Sequence, residues 1–371
     1  MPTAVLSTNG ANHFSFPEPV DQLLVATTNG VTLLQRGENN DWSIAGEALA
    51  GSHVSGMAID PESGRAFAAC MPGALMASED GGRNWTSLTP DWEEEGAYSV
   101  RVYRHGKGSR IYVGAQPAGL YRSDDGGVTW EDLASIRTAP MHEKWRFPAP
   151  GHQPHLKTLT VDPRDPNVIY AGVEQGALLK STDGGASWND LDEFVDYENF
   201  VYKDIHQVLL RPTNPSQVYI TSGLGIYRSA DEGATWTRLT DEAFRIGYPD
   251  QLLFAPDDDQ HLFVSGGFAI PYYWVEAKTA KGTVMLSKDG GATWRAPAHG
   301  FPEGRCNVEA MTMCAHPGGY AIFAGTTDGA VLVSTDRGES WSLIASDPAP
   351  ISKPTHDVLI NGIAYDNDLH P

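Results

Sequence analysis

A short hairpin pattern, Ser-x-Asp-x-Gly-x-x-Trp, recurs six times along the 371-residue chain. The six copies end at Trp85, Trp130, Trp188, Trp236, Trp294 and Trp341. A seventh, eroded copy, "LLQRGENNDW", keeps Trp42 but has lost the Ser and the Asp. Successive tryptophans lie 43 to 58 residues apart, close to the ~40–50 residues of one four-stranded propeller blade. The repeat therefore predicts a ring of seven similar units.

Each repeat also carries the alternation and turn residues of four strands. In "TLTVDPRDPNVIYAGVEQGALLKSTDGGASWNDL", an Asp-Pro turn separates two apolar runs, and a third strand leads into the acidic hairpin. We predict an all-β fold, a seven-bladed β-propeller with four-stranded antiparallel blades, as one domain over residues 1–371. We expect residues 359–365, at the C-terminus, to form the inner strand of the blade begun by residues 23–44, which closes the ring.

The composition limits the partners of the chain. A formal net charge of −21 argues against nucleic acid and anionic membranes, because phosphate-rich surfaces bind basic proteins. Three cysteines, Cys70, Cys306 and Cys314, are too few for a disulfide framework or a thiolate zinc site. The sequence shows no leader pattern and no apolar stretch of membrane-spanning length. We expect a soluble, cytoplasmic protein.

The setting of the aspartate in the repeated hairpin indicates a structural role. It can accept backbone N–H bonds within its own turn, while the glycine tolerates positive φ and the tryptophan packs across the hairpin base. A single active site does not need six copies on separate blades. Calcium binding is an alternative, although the hairpin lacks the dense ligand spacing of a dedicated loop. The carboxylates interpreted as scaffolding are Asp80, Asp125, Asp183, Asp231, Asp289 and Asp336.

These hairpins are Asp boxes, and across essentially its whole length the chain resembles the BNR/Asp-box repeat (sialidase-like or YVTN-type) β-propeller superfamily. The resemblance implies the propeller fold but several functions, including sialidases, xyloglucan-degrading enzymes, photosystem II assembly factors and the sortilin receptor group. The sialidase pattern has six blades, an early Arg-Ile-Pro stretch, an arginine triad and a Tyr/Glu nucleophile pair. Here the only similar stretch, "FRIGYPD" at residues 244–250, is late and lacks that proline. No sialidase residue is therefore carried over.

Chemistry in a propeller is expected where the blades converge, at the face where the inner strands begin. Aligning the inner strands on the turn that follows them places equivalent residues in two rings. The first ring contains His53, Ala97, His155, Asp204, Tyr248, Glu309 and Leu359. The second, two residues further along, contains Ser55, Ser99, Lys157, His206, Asp250, Met311 and Asn361. Converging ionisable groups shift one another's pKa values, as acid–base chemistry requires.

These rings supply a candidate active site. The predicted catalytic residues are His155, His206, Asp204, Asp250 and Lys157. A histidine would act as general base, an aspartate would orient it or act as the second acid–base group, and the lysine, or Arg305 nearby, would stabilise negative charge. The predicted substrate-binding residues are Arg101, Tyr248, Arg305, Trp145 and Trp274. The plainer alternatives are histidines bonded to loop carbonyls, tryptophans that pin loops, and arginines in surface ion pairs.

Three functions remain open. The first is a hydrolase or lyase acting on a small, carbohydrate-derived or acidic substrate at this mouth. In the second, His53, His155 and Glu309 bind a divalent metal ion at the axis, because imidazole and carboxylate together suit zinc, manganese or iron. In the third, the ring is a non-catalytic platform for a protein partner. We favour the enzyme with a small-molecule substrate.

Overall fold

The computed structural model describes residues 1–88, 96–140, 142–147, 153–191, 203–241, 244–302, 304, 306–346 and 349–353. Over these residues the chain folds into seven β-sheets arranged around a common axis. The predicted seven-bladed β-propeller is therefore confirmed.

The first four blades follow one another along the chain. Blade 1 contains β1 (Thr3–Leu6), β3 (Gln22–Thr27), β4 (Gly30–Arg36) and β5 (Trp42–Ala48). Strand β2 (His13–Ser15) lies between β1 and β3 along the chain but belongs to another blade. Blade 2 contains β6 (His53–Ile59), β7 (Ala66–Met71), β8 (Leu75–Ser78) and β9 (Thr86–Ser87). Blade 3 contains β10 (Gly96–His105), β11 (Gly108–Gln116), β12 (Gly119–Ser123) and β13 (Glu131–Asp132). Blade 4 contains β14 (His155–Asp162), β15 (Asp165–Glu174), β16 (Ala177–Ser181) and β17 (Asn189–Asp190).

Three further blades complete the ring. Blade 5 contains β18 (Ile205–Arg211), β19 (Asn214–Ser222), β20 (Gly225–Ser229) and β21 (Thr237–Arg238). Blade 6 contains β22 (Tyr248–Phe254), β23 (Leu262–Gly267) and β24 (Thr283–Ser287), with a single bridge from Leu286 to Arg295 at the fourth position. Blade 7 contains β25 (Val308–His316), β26 (Gly319–Thr326), β27 (Ala330–Ser334) and β28 (Ser342–Ser346), and β2 pairs with its inner strand.

Helical structure is sparse. Two 3-10 helices, Ala134–Thr138 and His142–Lys144, lie between blades 3 and 4, and α1 (Pro271–Ala277) lies between β23 and β24. In the described part of the chain, no helix is long and apolar enough to cross a bilayer.

The blades pack on one another through apolar faces, because their strands are rich in buried aliphatic residues. Leu120 of blade 3 packs in one cluster with Leu159 and Ile169 of blade 4. At the other side of the ring, Leu6 of blade 1 packs in one cluster with Phe323 of blade 7. β25 contacts β1, and β28 contacts β5. The last blade therefore packs directly on the first.

Blade 1 is completed differently from our expectation. Its inner strand is β1, which runs parallel to β3 and places Leu6 opposite Val25. Residues 359–365, expected at this position, lie outside the described residues. Ala4 and Leu6 are fully buried, but a run of four residues is too short for its period to identify a strand. The inner position of blade 1 is thus filled from the N-terminus.

The segment between β1 and β3 passes through the axial channel. Asn9 N donates to Ser55 O of blade 2 at 3.0 Å, and Met313 N of blade 7 donates to Asn12 O at 2.8 Å. β2 then pairs with β25. Because the chain itself crosses the channel, a ligand site on the axis is expected at the mouth, where the inner strands begin.

The Asp boxes satisfy their own carboxylates. In blade 3, Asp125 Oδ1 accepts hydrogen bonds from Ser123 Oγ at 2.8 Å and from the backbone N–H groups of Val128 and Thr129 at 3.0 and 2.9 Å. Thr129 Oγ1 donates to the other oxygen at 2.5 Å. These bonds, those from Thr129 above all, lower the pKa of Asp125 to about 2. The carboxylate acts within its own turn, as the structural interpretation predicts.

Candidate functional site

Six inner strands carry a β-bulge near their start, at the same place in each blade. In β14, Leu156 pairs with Val173 and Thr158 pairs with Gly172, which leaves Lys157 as the extra residue. A bulge re-aims side chains and interrupts the ladder locally. The six extra residues are Ser55, Tyr98, Lys157, His206, Asp250 and Glu309. The bulges therefore place four ionisable residues at equivalent positions around the mouth.

This register corrects the two rings inferred from the turns. Glu309 belongs to the second ring with Lys157, whereas counting back from the turn selects Met311. The reason is strand length. The part of β25 between its bulge and its last residue, His316, is two residues longer than the part of β14 between its bulge and its last residue, Asp162.

The other predicted ring positions differ less from the observed ones. In β10 the equivalent residues are Gly96 and Tyr98, one position before the predicted Ala97 and Ser99. The predicted members on the C-terminal strand, Leu359 and Asn361, lie outside the described residues.

A glutamate absent from both predicted rings lies at the centre of the cluster. Glu174 ends β15 directly opposite His155 and is fully buried. Its Oε2 accepts a hydrogen bond from His155 Nε2, and its Oε1 accepts one from Lys157 Nζ at 2.5 Å. Lys353 Nζ lies 3.7 Å from the same Oε1. Glu174 thus joins the predicted histidine and lysine into one buried network.

A second group forms beside it on blades 5 and 6. His206 Nε2 lies 3.2 Å from Asp204 Oδ2 and 3.8 Å from Glu174 Oε1. Tyr248 Oη donates to the same Asp204 oxygen at 3.2 Å. His206 Nδ1 lies 2.7 Å from Pro249 O. The structure therefore brings together the predicted pair of Asp204 and His206.

The third group includes a lysine from the C-terminal side of the chain. Lys353 Nζ lies 2.5 Å from Asp250 Oδ1 and 5.1 Å from the centroid of the Tyr248 ring. Glu309 Oε2 accepts bonds from Ser352 Oγ and Lys353 N, both at 3.0 Å. This segment holds Lys353 at 1% exposure. Nothing in the sequence around Lys353, which follows the last blade, indicates that its side chain is buried in this cluster.

Charge and burial set the protonation of the cluster. Burial opposes ionisation of Glu174, but the charges of Lys157, Lys353 and His155 outweigh it and hold its pKa well below the usual value. Burial and the charge of Lys353 lower the pKa of Lys157 to about 8, against the attraction of Glu174. Burial also disfavours the charged form of Lys353, yet Asp250 and Glu174 raise its pKa well above the usual value.

The other predicted binding residues lie apart from this cluster or support it. Arg101 Nη1 donates to Asn9 O of the channel segment at 2.8 Å. Trp145 is 5% exposed within the core of blades 3 and 4. Trp274 of α1 is 1% exposed and meets the Tyr248 ring edge-on, with centroids 5.5 Å apart. Arg305 lies outside the described residues. Of the predicted binding residues that the structure describes, Tyr248 alone contacts the cluster directly.

The residues predicted to bind a metal do not meet at one point. His53 Nε2 lies 3.0 Å from Ser352 O, while His155 is engaged by Glu174 and Glu309 by residues 352 and 353. A different set is brought together instead. Among the residues that the structure describes, one group of three ligand-type side chains has donor atoms within 4.8 Å of one another: Glu174, Asp204 and His206. This group could hold a metal ion.

Comparison with known families agrees with the fold. The BNR/Asp-box repeat model matches residues 121–132, and the model for sortilin, neurotensin receptor 3, matches residues 176–300. An oligoxyloglucan-reducing end-specific xyloglucanase of Emericella nidulans is 22% identical over 52% of this chain and 24% of its own length. A xyloglucanase of Paenibacillus sp is 27% identical over 57% of this chain and 23% of its own length. The match thus spans about a quarter of either relative.

Solved structures show the same architecture. An ancestral GH74 enzyme superposes with a TM-score of 0.55 at 16% identity, over 75% of this chain and 35% of that one. YCF48 from Cyanidioschyzon merolae superposes with a TM-score of 0.52 at 14% identity, over 80% of this chain and 85% of that one. At such identities the likeness establishes the fold. The chain is therefore a seven-bladed β-propeller that carries Asp-box repeats, one of which the BNR/Asp-box repeat model matches.

Proposed function

We propose that the protein is a hydrolase that acts on a carbohydrate-derived substrate at the axial cluster. The observation that carries this proposal is the convergence of four carboxylates, two lysines and two histidines, nearly all buried, at one mouth of the ring. Burying so many charges costs free energy that a scaffold does not need to spend, and such clusters are typical of acid–base sites. The names of the two curated relatives support a carbohydrate substrate.

The Asp204–His206 pair is the best-placed acid–base unit in the cluster. His206 faces Asp204 Oδ2 at 3.2 Å, and Asp204 Oδ1 has no hydrogen-bond partner among the described residues. An unengaged carboxylate oxygen can accept a proton from water, and the imidazole, when it is protonated at Nε2, can pass that proton to a leaving group. Lys157 and Lys353, whose ammonium groups lie 2.5 and 3.7 Å from Glu174 Oε1 in the same cluster, would stabilise developing negative charge. A lyase would use the same pair to remove a carbon-bound proton, but the relatives' names favour hydrolysis.

The activity test compares Asp204→Asn with a matched control. The substrates are xyloglucan oligosaccharides and a panel of aryl glycosides, and the readout is the release of reducing ends or aryl alcohol. We expect Asp204→Asn to lose activity by about 100-fold or more, because general acid–base groups contribute that much. The control is Ser55→Ala, at the equivalent bulge position of blade 2, where the hydroxyl donates to the backbone carbonyls of Ala69 and Tyr98. Equal activity in the two variants would contradict the assignment.

A non-catalytic binding platform is the second candidate, and burial favours it. The cluster residues Lys157, His206 and Asp250 are 2 to 4% exposed, which suits a network that holds the mouth rigid. In that case no glycoside in the panel is turned over, and Asp204→Asn changes only the melting temperature. The same experiment therefore distinguishes the two functions.

A further inference from the structure

The hydrogen bond made by His206 Nδ1 leaves its other ring nitrogen, Nε2, facing the cluster. Nδ1 lies 2.7 Å from Pro249 O, and a carbonyl oxygen only accepts, so Nδ1 carries a proton. In the neutral ring, Nε2 then presents a lone pair. That lone pair faces Asp204 Oδ2 at 3.2 Å and Glu174 Oε1 at 3.8 Å. One possible ligand atom from each of the three residues therefore faces the other two.

The charge of the surrounding cluster points the same way. Four buried carboxylates, those of Glu174, Asp204, Asp250 and Glu309, face two ammonium groups, those of Lys157 and Lys353. The carboxylates therefore outnumber the ammonium groups by two. A buried charge is stable only when it is paired or bound to a metal.

Two of the three residues carry buried polar atoms without a hydrogen-bond partner. His206 Nε2 and Asp204 Oδ1 are buried and make no hydrogen bond within the described residues. The two residues are 4% and 3% exposed. Buried polar atoms without partners are uncommon in native proteins and call for an unseen partner such as an ion.

We propose that Glu174, Asp204 and His206 bind one divalent transition-metal ion at the axis. Metal–ligand bonds of about 2.0–2.2 Å place neighbouring donors roughly 3.0–3.5 Å apart. The two separations from His206 Nε2, 3.2 and 3.8 Å, are near this range, and all three donor atoms lie within 4.8 Å of one another. Two carboxylates and one imidazole suit Zn²⁺, Mn²⁺ or Fe²⁺. His155 donates to Glu174 Oε2 and so orients that ligand.

Two lysines compete with the metal for Glu174. Lys157 Nζ lies 2.5 Å from Glu174 Oε1, and Lys353 Nζ lies 3.7 Å from it. The metal shares this carboxylate with Lys157, and the nearby ammonium weakens its binding by repulsion. Removing the charge of Lys157 therefore strengthens metal binding, which a purely structural cluster would not do.

The test uses the full chain, stripped with a chelator and titrated calorimetrically with ZnCl2 and separately with MnCl2. The wild type binds one ion of at least one of these metals per chain, and His206→Gln and Asp204→Asn weaken that binding by about 10–100-fold, the usual effect of disturbing a metal site. His53→Gln is the matched control, because His53 holds the position on blade 2 from which the first ring begins; it leaves affinity unchanged. Lys157→Met binds at least about tenfold more tightly.

Several results would overturn the proposal. These are no saturable binding of either metal to the wild type, or binding that His206→Gln and Asp204→Asn leave unaltered. Thermal unfolding of each variant without metal shows that it is folded, and the wild-type melting temperature rises with metal while that of folded His206→Gln does not. If neither ligand variant folds, failure of Lys157→Met to tighten binding refutes the site. The two proposals use Asp204 and His206 differently, as metal ligands here and as an acid–base pair in the proposed hydrolase. Because the binding assay needs no substrate, each can fail separately.

Discussion

Gly10 lies where the N-terminal segment crosses the axis, and there is no room for a side chain. A Cβ atom at this position would lie 2.0 Å from Met57 O and 2.2 Å from Ser7 Oγ. Backbone bonds on either side, from Asn9 N to Ser55 O and from Ala11 N to Met57 O, hold the segment against blade 2. The lack of a Cβ is therefore what allows the segment to pass so close to β6.

We expect Gly10→Ala to lower the free energy of unfolding by about 2–4 kcal/mol. The added methyl group would clash with backbone atoms of Met57, which are held within β6. Urea unfolding measures the change. Gly46→Ala is the control, since nothing lies within 4 Å of a Cβ built there; it should stay within about 0.5 kcal/mol of the wild type. Equal stability of the two variants would show that the segment does not fill the channel as described.

At the scale of single elements, the Asp boxes link the stability of the ring to pH. Hydrogen bonds to the ionised form lower the pKa of Asp125, Asp183 and Asp231 to about 2 from an ordinary value of 3.8. The folded state therefore binds fewer protons than the unfolded state between these values. A depressed carboxyl pKa stabilises the fold above the unfolded pKa, and this contribution is lost as pH falls through the folded pKa.

We expect the free energy of unfolding to fall as pH decreases from about 4 to about 2. Asp125→Asn should reduce that slope, because one carboxyl group with a depressed pKa is removed. Urea unfolding at a series of pH values measures it. Val128→Ala, on the exposed tip of the same hairpin, serves as the control and should keep the full slope. The prediction fails if Asp125→Asn and the wild type have parallel pH curves.

The blades could be predicted from the sequence because the Asp box repeats its residues at a nearly constant position in each one. The bulges could not be predicted, because one extra residue leaves the apolar pattern of a strand almost unchanged. The bulge nevertheless decides which residue joins the cluster, as Glu309 and Met311 show. A repeat therefore identifies the strands more reliably than it identifies the residues that face the axis.

At the scale of the whole molecule, Lys353 connects distant parts of the ring. Its ammonium lies 2.5 Å from Asp250 of blade 6 and 3.7 Å from Glu174 of blade 4, and its backbone N–H bonds to Glu309 of blade 7. Its neighbour Ile351 is fully buried between blades 1 and 7. The segment of residues 349–353 thus contacts several blades and links them at the mouth.

Lys353→Met should lower the free energy of unfolding by about 3–5 kcal/mol, because it leaves buried carboxylates without their cation. Lys288→Met is the control. Lys288 also pairs with a glutamate, Glu339, at 3.7 Å, but its side chain is 64% exposed, so its loss should cost at most about 1 kcal/mol. Similar losses in both variants, measured by urea unfolding, would show that Lys353 does not fasten the ring.

The sequence predicted the catalytic candidates on the inner strands but not Glu174 or Lys353. Glu174 follows an apolar second strand, where a terminal charge normally lies in solvent. Lys353 reaches the axis through a segment with no repeat to align it. The position of Lys353 depends on contacts with several blades, which are a property of the assembled ring. The mouth could therefore be located from the sequence, whereas its complete charge network could not.

Anomalous diffraction from a crystal of the full chain equilibrated with Zn²⁺ or Mn²⁺ most directly tests whether the axial cluster is a metal centre. We predict one strong peak at the mouth, about 2.0–2.2 Å from His206 Nε2 and from a carboxylate oxygen of Asp204 and of Glu174. Peaks confined to other surfaces, with His206 and Asp204 in direct contact only with each other, would contradict the account.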